Sequence, residues 1–440
     1  MTEERTLAHG LGGQQDLPIP AELAIAGAVA ALVVSFTVLA VAWRKPRYDA
    51  TTSGRPAPDW LARLVDHPAY AIALRAIGVL FLGWFGLAAI FGRDLLTNPV
   101  FGMFYVWWWV GLVPLSVLLG PVWRAISPVR TINDVFARLS GSDPARGLYR
   151  YPTWLGHWPA ALGLFSFVWM ELVYPFGTEL GPVRLWVAVY VAAMLVGGAL
   201  FGTTFFERAD PFEVYSSLCA KLSPWGRREG RLVVRSPLAN LDTLEPQPGI
   251  VAVVGVLLGS TAFDSFRDSL AWIRFTQDTS VSTYLLNNLA LLAFCAAVAL
   301  IIAGASVATR VEAAGRWELP GLLAHSVVPI IVGYIVAHYV NYLLEVGWDT
   351  LVLASDPLGT GADWLGTADL DRITWLSYNP TLLASIKVLA VVVGHVVAVV
   401  AAHDRSIKVL PEKHQLTGQL PMLFAMISFT VGGLYLLFAA

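Results

Sequence analysis

Asp264 and Asp268 stand four positions apart, with Arg267 beside them, at the end of a hydrophobic stretch. Two stretches on, Tyr334, His338, Asn341 and Glu345 fall at i, i+4, i+7 and i+11, one stripe of a helix. The stretch after that carries Lys387 and His395. A charge in a hydrocarbon core costs at least about 2.5–3.5 kcal/mol, so side chains of this kind must face one another or water. Carboxylate, imidazole and amine at one level can neutralise one another or carry a proton or ion. Carboxylate, imidazole and amide also suit a hard or borderline divalent metal, for which Asp264, Asp268 and His338 are the candidate ligands. A buried ion-pair network that only joins helices is the structural alternative.

The elements that must position these groups are transmembrane helices. The chain has 440 residues, 56% hydrophobic and only 14% charged, against roughly a quarter charged in a soluble domain. A crossing takes about 20 apolar residues. About ten stretches reach that length, near 21–43, 72–92, 100–120, 154–175, 183–202, 249–269, 283–306, 321–345, 381–402 and 421–440. The expected fold is an all-α polytopic bundle. It comprises a polar tail over 1–20, an N-terminal half over 21–248 and a C-terminal half over 249–440 that holds the polar site. The alternate loops 44–71, 121–153, 203–248, 307–320 and 403–420 hold most of the 29 Lys and Arg. The positive-inside rule then puts these loops in the cytoplasm and both termini outside. No cleavable signal is visible in the tail. A net charge of −2 with no long basic run argues against nucleic acid. Cys219 and Cys295 are too few for a disulfide framework or a thiolate metal site.

Depth follows from the helical rise. Asp264 lies about 22 Å and His338 about 25 Å above the cytoplasmic edge, and Lys387 about 9 Å below the outer edge. Glu171 reaches the same level, and Asn287 and Asn288 lie just below the outer surface. His325 and His395 form a second level nearer the cytoplasm. Two facing histidines could ligate haem or a metal ion, or relay a proton. An interfacial histidine satisfied by backbone or water is the plainer reading of each. His338 has no histidine opposite it, and His403 reads as a solvated helix end. Gly259-Ser-Thr261 and Pro329 are places where helices could break.

Residues 127–140 and 210–223 match at an offset of 83, and Pro99-Val100 recurs at Pro182-Val183. Each segment opens with an N-cap residue followed by proline. Apolar residues then recur at helical spacing: Val129, Ile132, Phe136 and Leu139 in one, Phe212, Tyr215, Cys219 and Leu222 in the other. The unit is a transmembrane hairpin plus a short amphipathic cytoplasmic helix, with copies at 72–140 and 154–223. The helices at 128–139 and 211–222 are expected to pack at the interface, with docking of a membrane-protein partner as the alternative. The outer loop 346–380 is acidic, and Trp348, Trp364 and Trp375 could anchor it at the interface. Trp107-Trp108-Trp109 reads as lipid contact and packing. Walker, G-x-S-x-G, H-E-x-x-H and deaminase signatures are not found.

Three segments resemble a group of actinobacterial integral membrane proteins labelled fenitrothion hydrolase. They are Leu7-Ala-His-Gly-Leu-Gly-Gly-Gln-Gln-Asp-Leu-Pro18, Gly259-Ser-Thr-Ala-Phe-Asp-Ser-Phe-Arg-Asp-Ser269, and Gly394-His395 with Ala402-His-Asp-Arg405. The resemblance implies cleavage of an organophosphate triester at its aryl ester bond. It brings no catalytic motif that transfers residue by residue. Such chemistry needs a metal- or base-activated water, with Asp264, Asp268 and His338 as candidates and Lys387 stabilising negative charge. The residues themselves point first to a solute, ion or metal permease of the bacterial cytoplasmic membrane, coupled through protonation of Asp264 or His338. The hydrolase comes second, and a structural or assembly subunit is a further alternative.

Overall fold

The structure, a computed structural model, describes residues 16–309 and 318–438. The first fifteen residues, including His9, lie outside the described part. In chain order the helices used below are α1 (Ala21–Ala42), α2 (Pro68–Phe91), α3 (Pro99–Leu119), α4 (Pro128–Leu139), α5 (Trp158–Leu172), α6 (Leu180–Phe201), α7 (Pro211–Cys219), α8 (Ile250–Arg267), α9 (Leu270–Asp278), α10 (Thr283–Val307), α11 (Val328–Leu353), α12 (Pro380–Val409) and α13 (Leu420–Phe438). Among the described residues, nine helices are long and apolar enough to cross a membrane. The chain is an all-α multi-pass membrane protein.

Of the ten expected spans, the fourth is the exception. The 154–175 stretch forms only the 15-residue α5, about 22 Å long and short of a ~30 Å core. It ends before Pro175, whose ring disfavours the helical region for Tyr174.

The chain divides into two compact units. The hairpin unit comprises residues 47–253 and 350–369. In it, Ser127 Oγ accepts from Arg130 N at 3.4 Å, and Asp210 Oδ1 accepts from Phe212 N at 3.0 Å, which are the expected N-caps. The same succession runs twice: an apolar helix (24 residues in one copy, 15 in the other), a long helix, a short turn of helix, then the proline-capped helix. Side chains 83 positions apart meet: Arg130 NH2 lies 3.1 Å from Glu213 Oε1, and Arg124 NH2 lies 2.6 Å from Glu207 Oε1. The two copies therefore pack with equivalent positions side by side. One copy supplies the arginines and the other the glutamates.

The capped helices are not alike in exposure. On α4, Phe136 and Leu139 face outward. α7 is buried along nearly its whole length, so it offers no docking surface and is not the interfacial helix its spacing suggests. Its Phe212 and Tyr215 sit in an aromatic core. Trp108 stacks on Trp123 at 5.2 Å and meets Phe212 at 4.7 Å, and Trp109 meets Tyr215 at 4.7 Å. Trp108 and Trp109 are therefore core residues rather than lipid contacts. The run Gly102–Val110 winds as a π-helix, which widens α3 where the rings crowd. A small antiparallel sheet, absent from the sequence reading, joins β1 (Arg55–Pro56), β2 (Trp225–Arg228) and β3 (Arg231–Val234) in the order β1-β3-β2. Glu229 and Gly230, with φ of 51° and 79°, make the two-residue turn between β2 and β3. In the outer loop, Asp363 accepts from Ser355 Oγ, Thr367 N and Ala368 N. Asp356 likewise accepts from Thr360 N and Gly361 N. These aspartates build the loop's own turns.

The C-terminal unit comprises the described parts of residues 1–46, 254–349 and 370–440. The first span thus joins the C-terminal helices: α1 packs on α12 and α13, and α10 packs on α13. α8 is unbroken through Gly259-Ser-Thr261, where Thr261 Oγ1 donates to Leu257 O at 2.9 Å. Gly259 serves close packing instead, since a Cβ there would lie 2.6 Å from Cys295 Cα on α10. Ahead of Pro329 the irregularity is a short 3-10 turn, Ala324–Val327. α11 then continues to Leu353, well into the segment read as outer loop. His403 is buried, with Nδ1 2.8 Å from Gln419 Oε1 and Nε2 2.9 Å from Trp43 O, so it is not a solvated end.

α11 and α12 approach through Gly333 and Gly394, whose added Cβ atoms would meet Ala390 O at 2.5 Å and Pro329 O at 2.6 Å. Backbone oxygens cannot swing aside. Gly394→Ala should therefore destabilise the solubilised protein by about 1–3 kcal/mol in thermal unfolding. Gly304→Ala, where a Cβ meets nothing within 4 Å, should leave the transition unmoved or raised. Equal behaviour of the two variants would contradict close helix contact at Gly394.

Candidate functional site

The site lies between α8 and α11. Asp264, 1% exposed, points its Oδ2 at two donors on α11: His338 Nε2 at 2.9 Å and the Tyr339 hydroxyl at 2.7 Å. The other face of the imidazole is held from α8, with Nδ1 3.1 Å from Ser265 Oγ. Ser265 Oγ in turn lies 3.3 Å from the Tyr334 hydroxyl, one turn below His338 on the same stripe. Asp264, His338, Ser265 and Tyr334 thus form an unbroken hydrogen-bonded chain of groups with exchangeable protons. With Nε2–H donated to the carboxylate, the neutral ring accepts at Nδ1 from the serine hydroxyl.

Arg267 Nε lies 3.5 Å from Asp264 Oδ1 and 3.5 Å from Asp268 Oδ1. Asp268 is 57% exposed and meets the cluster through this guanidinium. The metal-ligand set Asp264, Asp268 and His338 is not assembled. Among the described residues no group of three His, Cys, Asp or Glu side chains is placed to hold a metal ion.

The other predicted residues go elsewhere. Asn341 Nδ2 donates to Ser377 Oγ at 3.2 Å. Glu345 accepts from Ser377 N at 3.0 Å and from Ser377 Oγ at 2.7 Å, so the upper end of the stripe pins the segment entering α12. Asn287 accepts from Trp272 Nε1 at 3.0 Å, joining α10 to α9, and Asn288 Nδ2 donates to Tyr284 O at 2.7 Å. Lys387 is 2% exposed on α12, outside the Asp264–His338 chain. Glu171 lies on α5 and belongs to the hairpin unit.

His325 and His395 do not form a facing pair. His325 Nδ1 lies 2.9 Å from Leu322 O and its Nε2 3.3 Å from Ala401 O. His395 Nδ1 lies 2.8 Å from Val391 O. Backbone carbonyls therefore engage both rings.

The sequence reading missed Ser265 and Tyr339. Both adjoin residues it singled out, about 100° round the helix from them, and a seryl or tyrosyl group in an apolar run carries no charge to mark it. Tyr334 was marked only as part of the stripe. Comparison of the chain with protein-family models, curated proteins and solved structures finds no match in any of the three.

Proposed function

We propose that the chain is a proton-linked permease of a small solute or ion in a bacterial cytoplasmic membrane, with Asp264 and His338 as the proton-carrying pair. The observation that carries this reading is the chain Asp264–His338–Ser265–Tyr334, its carboxylate and imidazole buried and its serine half-buried, between helices that the bilayer would surround. A carboxylate and an imidazole 2.9 Å apart exchange a proton without moving their helices. Taking up that proton changes which hydrogen bonds α8 and α11 can share, and this is the differential interaction a conformational change requires. The basic loops argue for the termini outside and for access to the pair from the outer face.

The test is accumulation of radiolabelled solutes, screened as cations, anions and neutral compounds, in proteoliposomes under an imposed pH gradient. At least one class should accumulate with the gradient and not without it. Absence of gradient-dependent accumulation in every class would defeat the permease.

One observation favours the hydrolase as a second reading. Serine hydroxyl, imidazole and carboxylate stand in the order of a nucleophilic serine site, at 3.1 Å and 2.9 Å. Against it, Ser265 lies inside α8, where the neighbouring backbone N–H groups are committed to the helix and cannot serve an oxyanion. Turnover of an aryl phosphotriester in detergent, without any gradient and lost in Ser265→Ala, would establish this alternative.

A further inference from the structure

A cavity of about 380 Å³ lies in the C-terminal unit between α8, α10, α11, α12 and α13. Its lining is almost wholly apolar, with Phe294, Ile330 and Leu436 among the larger side chains. Ala293, Ala297, Ile301 and Ser428 also line it and are exposed, so it opens sideways between α10 and α13 onto surface that lipid would cover.

Three lining residues carry polar side-chain atoms. Ser428 Oγ donates to Phe424 O at 2.9 Å, and the Tyr334 hydroxyl lies 3.3 Å from Ser265 Oγ and 3.5 Å from Gly433 O. His395 is different. The residue is 1% exposed, and its Nε2 has no hydrogen-bond partner among the described residues. Val391 O can only accept, so Nδ1 carries the ring proton and Nε2 presents a bare lone pair. A buried polar atom left so is uncommon and costly. A lone water is a poor answer, because a buried water needs two to four polar partners and the other polar groups here are engaged.

We infer that this cavity binds a lipid-soluble molecule with an apolar body and one hydroxyl donor, a long-chain alcohol or alkylphenol, entering from the bilayer and anchored by donation to His395 Nε2. The volume falls in the range of small-molecule sites, which pair apolar walls with very few orienting polar groups. The inference stands apart from the permease reading, since it needs only the cavity and its anchor.

The experiment uses the full chain in lipid nanodiscs and two photoactivatable probes, a long-chain alcohol carrying an aliphatic diazirine and its methyl ether. The alcohol should label peptides within 293–301 and 428–436, and excess unlabelled alcohol should displace it. The ether, lacking the donor, should label about five- to tenfold less at equal concentration. His395→Phe should bring the alcohol down to the level of the ether. Gly432→Leu should abolish labelling by both, because Gly432 lines the cavity and a side chain there enters open space with nothing within 4 Å of its Cβ. Equal labelling of the native protein by alcohol and ether would mean that acyl chains merely fill a gap, and would overturn the proposal. Unchanged labelling in Gly432→Leu would overturn it too. Should His395→Phe fail to fold, the ether and Gly432→Leu arms still decide.

Discussion

Asp264→Asn should reduce pH-gradient-driven uptake in proteoliposomes to the protein-free background, while the protein still folds and inserts. Asparagine keeps the size of aspartate, and its amide oxygen still accepts from His338 Nε2 and the Tyr339 hydroxyl, which stand 2.9 Å and 2.7 Å from Asp264 Oδ2. The fold therefore loses only the charge-assisted part of two hydrogen bonds and the ion pair to Arg267, about 1–3 kcal/mol. What it loses entirely is a group that takes and releases a proton. Tyr339→Phe provides the contrast. It removes one donor to the carboxylate but no proton carrier, so uptake should persist at a lower rate. If Asp264→Asn retains uptake comparable to the native protein, the pair is a helix-joining ion network and nothing more.

At a pH well above 7, Arg130→Ala should destabilise the solubilised protein by about 3–5 kcal/mol in unfolding. Glu213 is 1% exposed, and Arg130 NH2 is 3.1 Å from its carboxylate. Where Glu213 is ionised, removing the arginine leaves a buried charge without its counter-ion, and that is the costly way to break such a pair. The pH dependence follows from the carboxyl itself. Burial pushes Glu213 up to about 7, and Arg130 pulls against that rise. Above that pH Glu213 is ionised and needs the guanidinium. Below it the carboxyl is protonated, and the loss caused by Arg130→Ala should shrink. Arg124→Ala, at the equivalent pair with Glu207 but with side chains 53% and 39% exposed, should cost no more than about 1 kcal/mol. Arg130→Met with Glu213→Leu should recover most of the stability, since apolar replacement of a buried pair is often neutral. Equal losses for Arg124→Ala and Arg130→Ala would refute the role of burial.

The offset of 83 that relates these pairs was present in the sequence as a short match, because capping residues and proline leave a local imprint. That the two copies meet at equivalent positions was not, because contact between them depends on how helices pack. The same division explains the exposure of α4 and α7. Spacing alone gives both an apolar stripe, but only packing decides that α7 is surrounded.

Within the candidate site, charge was the legible signal. Asp264, Arg267 and His338 stood out because an ionisable group in an apolar run is expensive, and they do converge. Glu345 and Lys387 stood out for the same reason, and Asn341, Asn287 and Asn288 as polar groups in apolar runs, yet Glu345 and Asn341 bind Ser377, and Asn287 and Asn288 bind Trp272 and Tyr284. Depth along a helix is set by the rise per residue and can be counted. Direction is set by the partner helix and cannot.

From its sequence alone, the chain's apolar runs determined a multi-pass helical protein with ionisable groups concentrated near its C-terminal end, since the cost of placing charge in hydrocarbon acts on composition. Only the tertiary structure decided that Asp264 meets His338 and Tyr339, that Ser265 and Tyr334 extend the chain, and that His395 faces a cavity with its lone pair unmet. Hydrogen bonds depend on tenths of an ångström between separate helices, and that spacing is set by packing rather than by composition.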